Sequence, residues 1–373
     1  MAEISTIADR SRPIVIVGAL PPPMNGYALI TSKILEGARG RRKVICLDIS
    51  PGVHKRGARY HFNRIGRVSM SLLRLIPARL SGARELYVAT ESRIGLLYTI
   101  ALSTMGVILG YRILLHHHVF RYITVKSRFM ALLVRITRGR ATHIFLCDCM
   151  ERDFLTLYGK SVASLKLANA AFIAPPLTWH REPKGAGEPL CVGLLGNLTK
   201  DKGLYHFLLM AEAANAARVN ARFVLAGPAR EPRDASAIAA LQRRTPGTFE
   251  YRGPLYGDDK VRFYRDIDVF AFPTMYENEA QPLVLYEAMA HGCAIIAYDR
   301  GCIAEQIGDA GWAIESRKDF TAEALERIVG LEAERGSLDR AGNAAAARLK
   351  YEYASALLVA ERVLGISSQR PLA

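Results

Sequence analysis

Short, mostly apolar runs alternate along this chain with longer stretches of helical pattern, and this alternation restricts the possible folds more than any other feature. The runs are continuous instead of alternating apolar with polar, which is typical of parallel strands covered by helices on both faces. We therefore predict an α/β fold with two doubly wound domains. The runs are PIVIVGAL, KVICLDI, ELYVAT, YRILLHHH and THIFLCD in the first half, then LCVGLLG, ARFVLAG, TFEYRG, VFAFPT and AIIAYD in the second.

The length of 373 residues also favours two domains over one. The join is expected within residues 174–189, because Pro, Gly and charged residues cluster there and no hydrophobic period continues. We predict an N-terminal doubly wound domain over 1–178 and a C-terminal doubly wound domain over 179–350. Residues 351–373 are expected to form a helix that packs back toward the N-terminal domain.

Two glutamates flank an apolar run in the stretch YENEAQPLVLYEAMAHG, residues 276–292. Pro282 suits the first turn of a helix because proline has a fixed φ and no N–H, and Gly292 suits the end of that helix. Glu279 then lies in the loop before the helix, and Glu287 lies inside it, roughly 7 to 8 Å along the axis.

The start of this helix is predicted to bind an anion. The N–H groups of Leu283, Val284 and Leu285 point out of the N-terminus, which makes it a phosphate site. The two carboxylates would repel a phosphate there unless hydroxyl groups donated hydrogen bonds to both of them. The expected ligand is a nucleotide sugar, with hexose hydroxyls on Glu279, the diphosphate at the helix start and ribose hydroxyls on Glu287.

The segment FPTMYENEAQPLVLYEAMAHGCAIIAYDRGCIAE resembles the retaining glycosyltransferases of family 4, which have the GT-B fold. The two glutamates, the Phe-Pro-Thr and Glu-Ala-Met-Ala-His-Gly sequences and the turn at Gly301 fall in the order of that family. Upstream, LLGNLTKDKGLYHFLLMAE, FVLAGP and YRGPLYG resemble its earlier elements. The similarity covers nearly all of residues 190–315 and, more loosely, the N-terminal half. It implies two Rossmann-like domains that face a cleft, with the acceptor bound by residues 1–178 and the nucleotide sugar bound by residues 179–350.

The resemblance also implies roles for single residues. Lys202 resembles the lysine that neutralises the diphosphate as the leaving group departs, and Glu279 is the second catalytic residue. Asn197 stands where the family usually has an arginine, and asparagine supplies a hydrogen bond but no charge. Either Lys202 acts with the helix N-terminus alone, or another cation such as Lys200 or Arg230 compensates. The residues expected to bind the donor are Gly26, Asn197, Gln281, Pro282, Leu283, Val284 and Glu287.

In the first half, the loop at Asn25 and Gly26 resembles the glycine loop that lies under the transferred sugar in this family. Glycine there would let the backbone approach a ligand closely, although a plain tight turn is the alternative. Gly18 lacks the partner glycines of a GxGxxG fingerprint, so an NAD-dependent dehydrogenase is not expected.

Three consecutive histidines end the predicted strand RILLHHHVF. Successive strand residues point to opposite faces, so His116 and His118 share a side and His117 does not. Family members place a histidine near the C6 side of the sugar, and we assign His118 as the third catalytic residue. Adjacent histidines on a strand cannot converge on one ion, which argues against a metal site there.

The sequence Asp266-Ile267-Asp268 has the spacing of a metal-binding DxD, but it falls where this family has a helix end and a strand start. We expect these aspartates to be structural. We also expect no metal and no cofactor, with a UDP- or GDP-sugar as co-substrate and with the diphosphate neutralised by Lys202 and the helix dipole.

The positive charge of the chain lies entirely in its first half. Residues 1–180 hold 26 Lys and Arg against 9 Asp and Glu, whereas residues 181–373 hold 24 against 26. Such asymmetry suggests that the first half meets something anionic, with a merely soluble basic face as the alternative. We expect an anionic membrane surface and a lipid-linked or oligosaccharide acceptor as partners, and no nucleic acid.

Two segments could contact a membrane. Residues 94–111 are 18 residues without a charge, and we predict a buried crossover helix there because they lie between two predicted strands. Residues 124–140 have an interfacial pattern, although an ordinary crossover helix with a solvated basic face is the alternative. The apolar residues expected on one side of that helix are Phe129, Met130, Leu132, Leu133 and Ile136.

The resemblance and the site residues together predict a metal-independent, retaining glycosyltransferase of surface polysaccharide biosynthesis that moves a hexose from a nucleotide-diphosphate sugar to a saccharide acceptor. The charge asymmetry favours a lipid-linked acceptor. The N-terminal sequence MAEISTIADRSRP has no apolar run, so we expect a cytoplasmic protein, peripheral at the inner face of the plasma membrane. The alternatives are a GT-B nucleotide-sugar epimerase, a glycoside hydrolase that uses the two glutamates, and an inactive nucleotide-sugar-binding protein.

Overall fold

The computed structural model describes residues 10–22, 26–52, 57–176 and 187–366. Within these ranges the chain divides into two compact units. The first takes the residues up to Phe172 and those from Tyr353 onward, and the second takes Ile173 to Glu352. The predicted boundary at residue 178, the loop residue Asn25 and the predicted helical residues after 366 lie outside the described ranges.

The first unit contains one six-stranded sheet in which all neighbouring strands are parallel. Its strands are β1 (Ile14–Gly18), β2 (Val44–Asp48), β3 (Glu85–Thr90), β4 (Arg112–His117), β5 (Ala141–Phe145) and β6 (Ala163–Lys166). They are connected by α1 (Gly26–Arg39), α2 (Ala58–Leu80), α3 (Gly95–Ile108), α4 (Arg121–Thr124), α5 (Arg128–Thr137) and α6 (Asp148–Tyr158). The strand order is β2-β1-β3-β4-β5-β6.

The second unit contains a second parallel six-stranded sheet. Its strands are β7 (Leu190–Leu195), β8 (Ala221–Ala226), β9 (Phe249–Tyr251), β10 (Val269–Phe272), β11 (Ala294–Tyr298) and β12 (Gly311–Ile314). Its helices are α7 (Leu204–Ala216), α8 (Pro232–Arg244), α9 (Gly257–Asp266), α10 (Leu283–Ala290), α11 (Ile303–Ile307), α12 (Phe320–Ala333) and the first part of α13 (Arg335–Leu364). The order β12-β11-β10-β7-β8-β9 is that of a dinucleotide-binding Rossmann sheet.

All ten strands predicted from apolar runs are present, and the prediction of two doubly wound units is confirmed. Every residue of β1, β3, β7, β10 and β11 is buried, as expected for strands covered on both faces. The sequence did not predict β6 and β12. Both are edge strands of only four residues: polar residues interrupt β6 (ASLK), and the apolar run of β12 (GWAI) is short.

The uncharged stretch 94–111 forms the crossover helix α3 between β3 and β4, as predicted. Its buried face consists of Leu96, Thr99, Leu102, Ser103 and Gly106. Within the described ranges, no helix has the length and apolar character needed to cross a membrane.

The predicted interfacial face of residues 124–140 is wrong in part. Met130 and Leu133 are completely buried, because α5 packs against α3. Phe129 and Leu132 are exposed, so the five apolar residues divide between an inner and an outer side of the helix. A period near 3.6 shows that a helix is amphipathic, but it does not show which apolar residues its neighbours cover.

Candidate functional site

The candidate site of the second unit lies where its sheet changes direction. Strands β7 and β10 are neighbours, and the chain leaves them toward opposite edges of the sheet. In open parallel sheets, ligands bind outside the carboxyl ends of the two strands at such a point. The loop after β7 carries Lys202, and the loop after β10 carries Glu279.

Lys202 ends a single 3-10 turn, Lys200–Lys202, and its own N–H donates a hydrogen bond of 3.3 Å to the hydroxyl of Thr199. The next residue, Gly203, has the left-handed φ of +84°. A Cβ on Gly203 would lie 2.2 Å from the carbonyl oxygen of Pro273, so only glycine lets this loop pack against the loop after β10. The Lys-Gly pair therefore brings the two loops together.

The two predicted catalytic residues of this unit contact each other directly. The Nζ of Lys202 donates a hydrogen bond of 2.5 Å to Oε2 of Glu279, and the hydroxyl of Thr274 donates one of 3.0 Å to the same oxygen. Glu279 is 9% exposed. The Lys202 ammonium also lies 4.5 Å from the centre of the Tyr276 ring. A buried carboxylate needs such a partner, because burial of an unpaired charge is costly.

Gly301 shapes the backbone under Glu279. Its φ is +59°, and a Cβ on it would lie 2.3 Å from the carbonyl oxygen of Glu279 and 2.8 Å from that of Ala280. The turn at Gly301 therefore supports the loop that carries the glutamate.

We expect Gly301→Ala to destabilise the protein and to disturb the Glu279 loop. The left-handed backbone alone costs an L-residue about 1 to 2 kcal/mol, and the overlap with the Glu279 carbonyl adds to this. Urea or thermal unfolding measures the loss. Gly330→Ala is the control, since Gly330 is an exposed residue of α12 with no atom near its missing Cβ. That change should raise stability by about 0.5 to 1 kcal/mol, and a similar loss in both variants would contradict the argument.

Helix α10 begins at Leu283, with Pro282 as its N-cap instead of inside the first turn. Leu283 and Val284 supply the first backbone N–H groups, which have no partner within the helix itself. The N–H of Leu285 was also expected to be available, but it donates to the carbonyl of Pro282 at 3.3 Å. Gln281 is buried beside the helix start, and Gly292 follows the helix end with a φ of +60°, as predicted.

Glu287 lies in α10 with its side chain 13% exposed, and each of its oxygens has a partner. Lys260 donates to Oε1 at 2.6 Å, and the hydroxyl of Tyr264 donates to Oε2 at 3.0 Å. Burial, and then the neighbouring carboxylate, raise the pKa of Tyr264 well above its ordinary value, so this hydroxyl keeps its proton. The sequence did not identify Lys260 and Tyr264, although their spacing of four on α9 places them on one face.

Asn197 is exposed in the loop after β7, as are Lys200 and, in the loop after β8, Arg230. The N–H of Leu198 donates to the carbonyl of Pro228 at 3.2 Å, so these two loops run side by side. Arg230 is two residues beyond Pro228. Of the two cations considered as replacements for the missing arginine, Lys200 lies in the same loop as Asn197, and Arg230 lies in the adjacent loop.

The aspartates of the DxD-like sequence both accept hydrogen bonds within the second unit. Asp266 ends α9 and accepts a hydrogen bond of 2.5 Å from Arg252. Asp268 is fully buried, and its Oδ2 accepts the N–H of Cys191 at 2.6 Å. Asp266 thus connects the end of α9 to the end of β9, and Asp268 connects the start of β10 to β7.

In the first unit, β4 ends at His117, and His118 is the next residue. The rings of His116 and His118 lie 4.0 Å apart, and the ring of His118 lies 5.5 Å from that of Tyr27. His117 points to the other side, where its Nε2 is 2.9 Å from Nδ1 of His143. The predicted alternation of the three histidines is therefore correct.

Burial lowers the pKa of His118 to about 3, so its ring is neutral at physiological pH. Its Nε2 is buried and has no hydrogen-bond partner in the part of the chain that the structure describes. Gly26 is the first residue of α1, and a Cβ on it would meet no atom within 4 Å. No described neighbour therefore requires glycine at this position.

The buried ring of His143 is expected to make the stability of the first unit depend on pH. Burial lowers its pKa to about 3 in the folded chain, against an ordinary value near 6.5, so the unfolded chain binds more protons between these values. The contribution of the neutral His143 ring to the free energy of unfolding is present in full above about pH 6.5 and is lost as the pH falls. We expect the drop in unfolding free energy from pH 7 to pH 5 to be about 2 kcal/mol smaller in His143→Gln than in the unaltered protein. Equal drops would contradict this.

Residues 189–331 match the family model described as glycosyl transferases group 1. Several solved structures share the fold over nearly the whole chain. Sucrose-phosphate synthase from Thermosynechococcus elongatus has a TM-score of 0.68 and 14% identity, over 94% of this chain and 98% of its own. HepE of Anabaena in complex with UDP has a TM-score of 0.70 and 14% identity, over 95% and 99%.

A glycosyltransferase from Rickettsia africae has a TM-score of 0.65 and 11% identity, over 96% of this chain and 100% of its own. No curated protein sequence matches the chain. The chain has the GT-B fold predicted from its sequence. Together with the family match over the second unit, this supports a GT-B glycosyltransferase.

Proposed function

We propose that this protein is a retaining, metal-independent glycosyltransferase of family 4 that moves a hexose from a nucleotide-diphosphate sugar to a lipid-linked saccharide. The observation that carries the proposal is the Lys202–Glu279 pair next to the start of α10, with the paired carboxylate of Glu287 further along the same helix. This arrangement combines a cation, the first N–H groups of a helix and two carboxylates that can accept from hydroxyl groups, which together suit a sugar nucleotide.

In this proposal the diphosphate lies against the N–H groups of Leu283 and Val284 and against Lys202. The hexose hydroxyls donate to Glu279, and the ribose hydroxyls donate to Glu287. UDP is the first nucleotide to test, because HepE of Anabaena has been solved with UDP and with UDP-glucose. Asn197 adds a hydrogen bond without charge, and Arg230 is proposed to supply the missing positive charge.

The reaction breaks the bond between the anomeric carbon and the diphosphate oxygen, and it forms a bond from that carbon to the acceptor hydroxyl oxygen on the same face. The acceptor proton passes to the departing diphosphate. Lys202 and the helix N-terminus stabilise the negative charge that develops on the leaving group. Neutral His118, whose buried Nε2 can pair with a hydroxyl, and Gly26 are proposed to contact the transferred sugar.

The ion pairs in the site favour transfer over glycoside hydrolysis. A hydrolase needs one of two carboxyl groups in its protonated form as general acid. Here one oxygen of Glu279 and one oxygen of Glu287 each accept a hydrogen bond from a lysine, at 2.5 and 2.6 Å, so these oxygens already face a cation instead of a glycosidic oxygen. A hydrolase also has no need of a phosphate-binding helix beside them.

The basic first half of the chain supports the acceptor part of the proposal. Donor binding is assigned to the second unit, so the excess charge of residues 1–180 is available for another anion. A polyprenyl-diphosphate-linked saccharide at the inner face of the plasma membrane would use it, in surface polysaccharide assembly. We propose peripheral, salt-sensitive attachment to that membrane.

Incubation with UDP- and GDP-sugars tests the proposed function. Donor binding should raise the melting temperature by mass action, and NMR of the product should show the anomeric configuration of the donor. Inversion would contradict the retaining mechanism. Free hexose without acceptor would identify a hydrolase, an epimerised sugar nucleotide an epimerase, and binding without turnover an inactive site. Equal transfer to soluble sugars and to a lipid-linked saccharide would contradict the proposed acceptor.

A further inference from the structure

Helix α2 exposes an apolar stripe to solvent. Phe62, Leu73 and Leu80 are 80%, 61% and 83% exposed, and Ile65, Met70 and Ile76 are exposed too. We call these six residues the outer face of α2. Phe62, Ile65, Leu73, Ile76 and Leu80 lie on one side of the helix, because their spacings add up to whole turns. A surface helix of a globular protein normally places polar residues there.

The opposite side of α2 already makes the packing contacts of the helix. Val68, Ser71, Leu75 and Ala78 are buried against the first unit. The outer face is therefore not needed for the core. A contiguous exposed apolar stripe of this kind usually marks an interaction surface.

The charges of α2 indicate what the outer face meets. The helix contains five arginines and no acidic residue over Ala58–Leu80. Arg64 and Arg67 form ion pairs with Glu91 and Asp48 within the unit. Arg59 and Arg74 are exposed, beside the apolar stripe.

A second group of arginines lies where α2, α3 and α5 end. A cavity of about 470 Å³ is lined in part by Arg112, Arg135, Arg138 and Arg140. The end of α2 adjoins it: a Cβ on Gly110 would lie 3.8 Å from Nη2 of Arg79 and 3.9 Å from Nη1 of Arg140. We call these four cavity residues the arginine cavity.

Exposed apolar residues border the arginine cavity. Nε of Arg79 donates to the carbonyl of Leu109 at 2.8 Å, which fixes the end of α2 beside the end of α3. Leu80 and Ile108, the residues at these two ends, are both strongly exposed. Apolar side chains and guanidinium groups thus share one surface of the first unit.

We propose that the outer face of α2 docks on an anionic lipid bilayer, with its apolar side chains among the acyl chains and with the arginine cavity on headgroup phosphates. This pairing of apolar and basic groups is the chemistry of an interfacial helix. The inference deepens the proposed function, on which it rests for the membrane-bound acceptor, and it assigns the attachment to α2 instead of α5.

A second copy of the chain fits this surface less well. The outer face would bring arginine-bordered helices without acidic residues against each other, and like charges would remain without partners. An anionic leaflet supplies the opposite charge along the whole helix.

Vesicle flotation with the full chain tests the proposal. Vesicles contain phosphatidylglycerol and phosphatidylcholine, or phosphatidylcholine alone. The unaltered protein should float with the anionic vesicles and dissociate in about 0.5 M salt. Phe62→Gln with Leu73→Gln and Leu80→Gln should lower the partition coefficient about tenfold or more. Leu209→Gln and Leu358→Gln change exposed leucines elsewhere and should leave it unchanged.

The charge is tested by Arg138→Gln with Arg140→Gln. This variant should bind anionic vesicles less and depend less on salt, whereas Arg243→Gln with Arg317→Gln, at exposed sites of the second unit, should match the unaltered protein. Phe62→Gln alone, with a melting temperature measured beside it, covers the case in which the triple variant folds poorly. Unchanged flotation of the α2 variants would overturn the proposal, as would a dimer in solution that the triple variant abolishes.

The same variants separate this proposal from the proposed function. The α2 variants should keep the rise in melting temperature with UDP, because their residues lie outside the donor site. If flotation depended on α2 but the protein bound no donor, the docking surface would be supported and the proposed activity would be contradicted. If the protein bound donor and transferred the sugar but its flotation did not depend on α2, the proposed activity would be supported and the docking surface would be contradicted.

Discussion

Lys202→Ala is expected to lower kcat by about 100- to 1000-fold, or about 2.7 to 4 kcal/mol, the effect of removing one preorganised electrostatic stabiliser. The reason is that Lys202 is the cation bonded to Glu279 at the carboxyl edge of β7 and β10, where the leaving diphosphate is proposed to lie. Steady-state kinetics with a UDP-sugar and a lipid-linked acceptor measures it. Lys202→Arg should recover part of the loss, since charge is restored with a different shape.

Lys350→Ala serves as the matched control, because Lys350 is an exposed lysine of α13. Its kinetics should equal those of the unaltered protein. Unchanged turnover in Lys202→Ala would remove the assignment of Lys202 to the leaving group. A rise in KM with unchanged kcat would assign it to ground-state binding only.

Glu287→Ala should weaken donor binding by roughly ten- to 150-fold, the equivalent of about 1.5 to 3 kcal/mol for hydrogen bonds to a charged acceptor. The carboxylate is held in place by Lys260 and Tyr264, so it is ready to accept two neighbouring ribose hydroxyls. Calorimetric titration with UDP measures the affinity directly.

Glu326→Ala is the control for this prediction, since Glu326 is exposed on α12 of the same unit. A 2′-deoxyribose donor provides a second comparison. It should bind the unaltered protein less tightly, but it should lose little more in Glu287→Ala. If Glu287→Ala lowered the affinity for the ribose donor and for the 2′-deoxyribose donor by the same factor, Glu287 would not contact the ribose.

The sequence predicted the fold well because of the nature of the strands. Runs such as PIVIVGAL and ELYVAT are buried on both faces, so their continuous apolar character was visible without any knowledge of neighbours. The edge strands β6 and β12 have only four residues each; polar residues interrupt the first, and the apolar run of the second is short. Edge position depends on sheet order, which local sequence does not contain.

The sequence named the residues of the candidate site but not the contacts between them. Resemblance placed Lys202 and Glu279 in one site, yet the hydrogen bond between them joins residues 77 positions apart and follows from packing of two loops. The partners of Glu287 were missed, because the spacing within α9 does not show that this helix faces α10. The two sides of α2 and α5 are both partly apolar, so a helical period could not separate inward from outward residues.

The contact between Lys202 and Glu279 has a consequence for the order of events in a catalytic cycle. Before a donor arrives, each charge already serves as the counterion of the other. On the proposed function, a ligand that draws Lys202 toward its phosphates must also offer hydroxyl donors to Glu279, or the carboxylate is left unbalanced in a nearly buried position. The intact sugar nucleotide does both, and the diphosphate left after transfer does only the first. Re-formation of the lysine–glutamate contact therefore favours departure of the spent nucleotide and resets the site for the next turnover.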